Sequence, residues 1–258
     1  MTNNSFHVEG CWGPRQENVE VCAERLTKML GVFARIHPAF ARWYYQGDTR
    51  AESNRPFCTM PPRIDELTRI LEKNMDEPGF PQLGYWIHPW NGRDDSYGIA
   101  LEMTVGKGRN HPLFPNDVNM QIHAADPSNQ DFVNYRVMKT ILLAIATIWN
   151  PDWGGIAPPF YSKRWARKTP WPGESIVPHW ELYWPPISAG WMTYLCADYA
   201  RRITRPPGIE VEPVITGGCL LIATEETFDP ENPVHYAAAD AIQASLLSLQ
   251  HLPYQEKR

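Results

Sequence analysis

The sequence predicts an α+β fold, a mostly antiparallel sheet with helices packed against it, and three observations carry that expectation. Between residues 15 and 36 the apolar positions recur at helical spacing. Between residues 84 and 124 three short β-prone segments follow one another, the first two joined by a hairpin-like turn. Two later segments, 132–148 and 232–251, are long and apolar enough to pack as helices over such a sheet.

In chain order, residues 6–12 read as a short strand ended by Gly13-Pro14. In the helix expected over 15–36, Val19, Cys22, Leu26, Met29, Phe33 and Ile36 form one stripe at intervals of 3, 4, 3, 4 and 3. Its other face, with Glu17, Glu20, Glu24, Lys28 and Arg35, is expected in solvent, and His37-Pro38 ends it. Residues 40–45 are aromatic and strand-like. Pro61-Pro62 opens a second helix with Leu67, Ile70 and Leu71 inward, stopping before Pro78-Gly79. Strands are expected at 84–88, 97–105 and 118–124, with the turn 91–96 between the first two.

Residues 127–131 read as a cap region for the helix 132–148, whose second half is apolar nearly all round and belongs in the core. Residues 190–196 read as a strand or strand-to-helix junction, and 198–203 as a short helix. Residues 208–215 and 218–224 form a hairpin around Gly217-Gly218, before the last helix at 232–251. The stretch 157–187 holds seven prolines and four tryptophans, too broken for regular structure and too aromatic for a flexible linker. It is expected to be a long ordered loop within a single domain spanning 1–258.

Composition narrows the function. A net charge of −5 and a pI near 5.9 disfavour direct binding of nucleic acid and suit a basic protein partner. The five cysteines are odd in number, widely spaced and without a Cys-x-x-Cys pair, which argues against a disulfide framework and a thiolate zinc site. The first residues have no basic or apolar leader pattern, and the longest apolar run, 141–149, is about half the ~20 residues a spanning helix needs. A cytoplasmic protein without a membrane segment is expected.

Catalytic patterns are weak. No two of the eight histidines stand in a His-x-x-x-His or His-Glu-x-x-His pair, and His37, His88 and His111 each precede proline. Turn and surface histidines are the ordinary reading; the alternative is a metal-dependent hydrolase whose His, Asp and Glu ligands meet only in the fold. There is no Gly-x-Ser-x-Gly elbow and no phosphate loop; Gly106-Lys-Gly-Arg109 is a turn. Cys11, Cys22 and Cys219 lie on apolar faces and read as small buried hydrophobes. No catalytic residue, metal ligand or cofactor is expected.

Two stretches suit a binding surface. Trp165, Trp171, Trp180 and Trp184 share one stretch with Lys163, Arg164, Arg167 and Lys168, and Trp, Tyr and Arg are the residue types that dominate protein–protein hot spots. Some of these tryptophans are expected to cover the core instead. Glu210, Glu212, Glu225, Glu226, Asp229 and Glu231 outnumber nearby bases. They form either an acidic face for a basic partner or a solvated loop before a helix N-terminus, where acids are favoured anyway.

Six segments in order carry a resemblance: Gly10-Cys-Trp-Gly-Pro-Arg15, Phe40-Ala-Arg-Trp-Tyr-Tyr45, Asn150-Pro-Asp-Trp-Gly154, Gly190-Trp-Met-Thr-Tyr-Leu195, the stretch 217–225, and Phe228-Asp-Pro-Glu-Asn-Pro233. At these spacings the chain resembles the immunity protein 52 family of bacterial polymorphic-toxin systems, from about residue 6 to residue 250. The resemblance implies a non-enzymatic protein that binds and neutralises a cognate toxin. It points to a toxin with a restriction-endonuclease-type nuclease domain, often delivered by type VI secretion. It also implies that Trp12, Trp43, Trp153 and Trp191 pack in the core and that Gly13 and Gly190 serve turns. It assigns no toxin contacts. Physical reasoning places those on Glu225, Glu226, Asp229 and Glu231 and on Trp171, Trp180 and Trp184. A non-inhibitory effector adaptor is the other binding-class alternative.

Overall fold

The computed structural model describes residues 5–75, 79–93, 97–108, 116–123, 131–158 and 188–249. These residues form ten strands: β1 (Ser5–Trp12), β2 (Tyr44–Tyr45), β3 (Tyr85–Ile87), β4 (Pro89–Trp90), β5 (Ile99–Val105), β6 (Asn116–His123), β7 (Trp153–Ala157), β8 (Met192–Leu195), β9 (Glu210–Pro213) and β10 (Cys219–Ile222). All join one antiparallel sheet in the order β2-β4-β5-β6-β1-β7-β8-β10-β9, with β3 also on β5. β3 and β4 share one register along β5 (Tyr85 opposite Val105, Trp90 opposite Ala100), so they are one strand interrupted at His88.

The helices are α1 (Val19–Ile36), α2 (Arg50–Ser53), α3 (Ile64–Lys73), α4 (Tyr135–Trp149), α5 (Ala197–Ala200) and α6 (Pro233–Leu246). The α+β expectation holds. The period-2 alternation of β1, β5 and β6 sends Val8, Trp12, Leu101, Met103, Val118 and Met120 into the main core. The α1 stripe meets them there: Cys22, Leu26, Met29 and Phe33 are buried, beside Leu67, Ile70 and Leu71 of α3. α4 packs on β1 and β7, and the Trp149 indole N–H reaches the Met29 sulfur of α1 at 3.2 Å. The alternate residues of β7, β8 and β10 (Trp153, Leu195, Cys219 and Leu221) form a second core with Ile242 and Leu246 of α6. That helix therefore covers the opposite face of the sheet.

Two sequence-distant segments interlock at the centre. Gly10 of β1 faces Gly154 of β7 across the ladder. A Cβ on Gly10 would lie 2.7 Å from Ile145 Cγ2 of α4, and one on Gly154 would lie 2.8 Å from the Glu9 carbonyl oxygen. The helix sits on this pair because neither position carries a side chain. Around it, Gly13 N–H donates to Asp152 Oδ2 at 3.0 Å, and Asp152 N–H donates to the Cys11 carbonyl at 2.9 Å. The Arg15 guanidinium donates to the carbonyls of Trp149 (2.6 Å) and Asn150 (3.3 Å), capping the C-terminus of α4. Trp12 stacks on Trp149 at 5.6 Å.

Several expectations need correction. The first helix begins at Val19, not at residue 15, because Gly13 and Arg15 are committed to these contacts and the Asn18 side chain caps the helix by accepting from Val21 N–H. Glu17 is not solvated: its carboxylate lies 2.7 Å from Arg25. Residues 40–45 are not one strand but the end of a 3₁₀ turn, Pro38–Phe40, followed by β2. Strand β7 was not foreseen, since Trp153-Gly-Gly-Ile-Ala157 shows no alternation. The helix expected over 132–148 starts at Tyr135, capped by Asn134, and the last helix starts at Pro233, capped by Asn232. Residues 124–130 and 159–187, with the expected Trp-rich loop, lie outside the described residues.

On β1, β5 and β6 the face turned away from α4 is polar. Glu102 and Glu9 flank Asn119 in one cross-strand row, and Asp117 sits between Thr104 and Cys11 in the next. Cys11 packs against the second apolar core, as expected of a small buried hydrophobe, with carboxyl groups also near it: burial followed by Asp117, Glu9 and Asp152 pushes its thiol well up. Burial, then the Glu102 and Glu9 carboxylates, push Asp117 up to about 7, against a hydrogen bond from Thr104.

Gly154→Ala and Gly10→Ala are each expected to lower stability by about 1–3 kcal/mol through overpacking under α4. Gly31→Ala in α1, where an added Cβ meets nothing within 4 Å, is expected to raise it by about 0.5–1 kcal/mol. Urea unfolding of the three variants reads both signs. Asp117 supplies a pH prediction. With a folded pKa raised above its unfolded value, the native state holds a proton that the unfolded chain has released, so stability falls as pH climbs from about 4 towards 7. Asp117→Asn removes that penalty. It should gain on the order of 2 kcal/mol over the parent at pH 8 and little at pH 4.5, read as the difference between denaturation midpoints at the two pH values.

Candidate partner-binding edge

The four acids singled out from the sequence lie on the connection between β10 and α6, at the β9 edge of the sheet, and all four are exposed. The connection is tied down along its length. The Trp191 indole N–H donates to the Thr224 carbonyl at 2.9 Å, and Thr224 Oγ1 accepts from Glu226 N–H at 3.1 Å. Phe228 is buried, 5.4 Å from the His235 ring and edge-on to Tyr236. Asp229 Oδ1 accepts from Glu231 N–H at 2.8 Å, while the Asn232 side chain accepts from Val234 N–H and Pro233 takes the first helical position. Buried His235 accepts the Asp229 N–H at Nδ1 (2.9 Å), and its Nε2 is 3.4 Å from Glu226 Oε2.

Edge strand β9 adds more carboxylates. Its register with β10 sets Glu210 opposite Ile222, which brings it beside Glu225. Desolvation, then the charges of Glu225 and Glu212, hold the Glu210 carboxyl above its usual range, and the two side chains share a hydrogen bond. Glu212 is ion-paired to Lys139 of α4, which also reaches the Tyr135 hydroxyl at 3.0 Å. Pro213 gives this edge a residue without an N–H, which blunts it against strand addition. The arrangement is an exposed acidic surface on a built frame. Trp171, Trp180 and Trp184 lie outside the described residues.

Among the described residues, several groups that could serve catalysis have other engagements. Burial pushes the thiols of Cys22 and Cys58 up to about 12 and that of Cys219 to about 11, which disfavours thiolate chemistry. His37 ends α1, accepts from Ala39 N–H and stacks on Tyr97; burial lowers its pKa. His123 is hydrogen-bonded to Ser5, and His88 packs on Trp86. Among the described residues no three His, Cys, Asp or Glu side chains are grouped to hold a metal ion. A depression of about 320 Å³ beside β2 is lined by Arg42, Asn91 and Arg93 and offers no carboxylate or histidine.

The acids of the loop were visible in the sequence. The Glu9–Glu102–Asp117 group was not, although the alternating polar positions of Asn116-Asp-Val-Asn-Met-Gln-Ile-His123 would have signalled one polar sheet face.

Against this geometry stand three comparisons with known proteins. A search of curated proteins finds no match. Among solved structures, the fold is similar to that of a Pseudomonas aeruginosa T6SS protein, PA0821, at 10% identity and a TM-score of 0.54, over 96% of this chain and 76% of that one. At that identity the likeness speaks for the fold alone. The family model described as immunity protein 52 matches residues 4–251, nearly the whole chain. The chain therefore belongs to the immunity protein 52 family.

Proposed function

We propose that this protein, as one immunity domain over residues 1–258, binds and neutralises a cognate toxin, a nuclease effector of a type VI secretion system. It does so by protein–protein contact without catalysis or cofactor. The carrying observation is the preorganised acidic loop: four exposed carboxylates, Glu225, Glu226, Asp229 and Glu231, held on a hydrogen-bonded frame at a sheet edge. Family membership supplies the class of partner, and type VI delivery is what the family resemblance implies. A nuclease carries a basic channel for phosphates, which an acidic surface complements in charge. Its targets lie in the cytoplasm, so the antidote is assigned there. Among the described residues no helix is long and apolar enough to cross a membrane. Trp171, Trp180 and Trp184 remain proposed partners of the loop in binding.

Co-expression with the adjacent open reading frame tests the function: the neighbour alone should arrest growth and this chain should restore it. A harmless neighbour, or an arrest that persists, removes the reading. The placement is tested by the quadruple change of Glu225, Glu226, Asp229 and Glu231 to Lys. Association with the purified toxin should slow by about tenfold or more at low salt, with the gap closing as ionic strength rises. An unchanged rate moves the docking surface elsewhere.

A further inference from the structure

The acidic loop is folded around one imidazole. His235 stands in the first turn of α6 and is 4% exposed. Because its Nδ1 accepts the Asp229 N–H, that nitrogen carries a lone pair, and in the neutral ring the proton sits on Nε2, which faces Glu226. The face of the ring meets Phe228. One side chain thus touches the loop at residues 226, 228 and 229. It is not there to cap the helix, since Asn232 does that.

We propose that His235 is the positioning residue of the toxin-binding loop, fixing Asp229 through Nδ1 and Glu226 through Nε2 before the partner arrives. The inference rests on the functional reading above and adds the group that makes the loop rigid. The need is electrostatic. Glu225, Glu226, Asp229 and Glu231 fall within seven residues, and Glu210 crowds Glu225 from the neighbouring strand. Repulsion among them favours an opened loop, and an opened loop must be ordered on binding, a cost that shows as weaker or slower association. Asp229 is where the clasp matters most, because its carbonyl and side chain also hold Asn232 N–H (3.1 Å) and Glu231 N–H. With its own N–H seated on His235, the turn is closed on three sides.

Three substitutions separate positioning from general structural support. His235→Asn keeps an acceptor where Nδ1 was and gives up the Glu226 contact. His235→Gln reaches towards Glu226 and gives up the Asp229 acceptor, and His235→Ala loses both. Two readouts are taken on the full chain: hydrogen exchange at the Asp229 amide, without toxin, and association with the purified product of the adjacent reading frame. His235→Asn should keep the amide protected and associate within about threefold of the parent, whereas His235→Gln and His235→Ala should expose the amide and associate about tenfold more slowly. Equal amide protection in all four proteins, or an unchanged association rate for His235→Gln, overturns the proposal. If His235→Ala does not fold, the Asn and Gln pair decides alone. A parent chain that binds no toxin defeats the functional reading itself, whatever the amide shows, so the two failures are distinguishable.

Discussion

Two glycines set how the rest of the molecule is assembled. Gly10 and Gly154 face each other on β1 and β7, and α4 rests on the bare backbone they leave. A methyl at either place would meet Ile145 of the helix or the backbone of β1, so the closeness of α4 to the sheet depends on having none. That closeness lets Trp149 lie against Trp12 and reach Met29 of α1. It also lets Arg15 and Asp152 close the backbone at both margins of the crossing. β1 occupies the middle of the sheet although it comes first in the chain, flanked by strands that begin more than a hundred residues later. The crossing therefore converts non-local pairing, which is costly in loop entropy, into one specific register.

What could be read from the sequence was what depends on periodicity alone. The 3-4 spacing of α1 and the alternation of β5 and β6 are imposed by one buried face, and a buried face writes itself into consecutive residues. β7 escaped because both of its faces are covered and its centre is Gly154-Gly155, which carries no hydrophobic signal. The early residues of the expected first helix misled for a related reason. Glu17 looks like a surface acid, yet it is held by Arg25 beside the tryptophan stack, a contact set by tertiary packing. At the acidic edge, the acids were legible as composition and their frame was not. Nothing in the sequence distinguishes His235 from the other histidines, and the meeting of Glu210 with Glu225 follows only from the register of β9 on β10.

The two groups of carboxylates show how placement decides what a charge does. Glu9 and Asp117 on the sheet face are desolvated, and their pKa values rise because the environment favours the neutral acid. Such groups weigh on stability and give little to a long-range field. The acids of the β10–α6 loop project into solvent, Glu226 with 81% of its side chain exposed. Exposed carboxylates carry full charge at little cost and act at a distance of roughly a Debye length, about 8 Å at physiological salt. In the proposed binding, steering an encounter is therefore work for the loop and not for the sheet face.

The family pattern takes on a physical sense once its segments are located. Gly10-Cys-Trp-Gly-Pro-Arg15 and Asn150-Pro-Asp-Trp-Gly154, distant in sequence, are the two halves of the central crossing, joined by the Gly13–Asp152 and Arg15–Trp149 bonds. They record a packing solution. Phe228-Asp-Pro-Glu-Asn-Pro233 is a different case, because it builds the acidic loop proposed for binding: Phe228 anchors it, Asn232 and Pro233 start α6, and the Asp229 backbone meets His235. Around that segment the frame is made by His235, the Asp229 and Asn232 side chains and main-chain groups, while the carboxylates of Glu225 and Glu231 stand outside it. A surface divided in this way can hold its geometry while the charges displayed on it change. Under the proposed toxin binding, specificity can then be altered without rebuilding the fold.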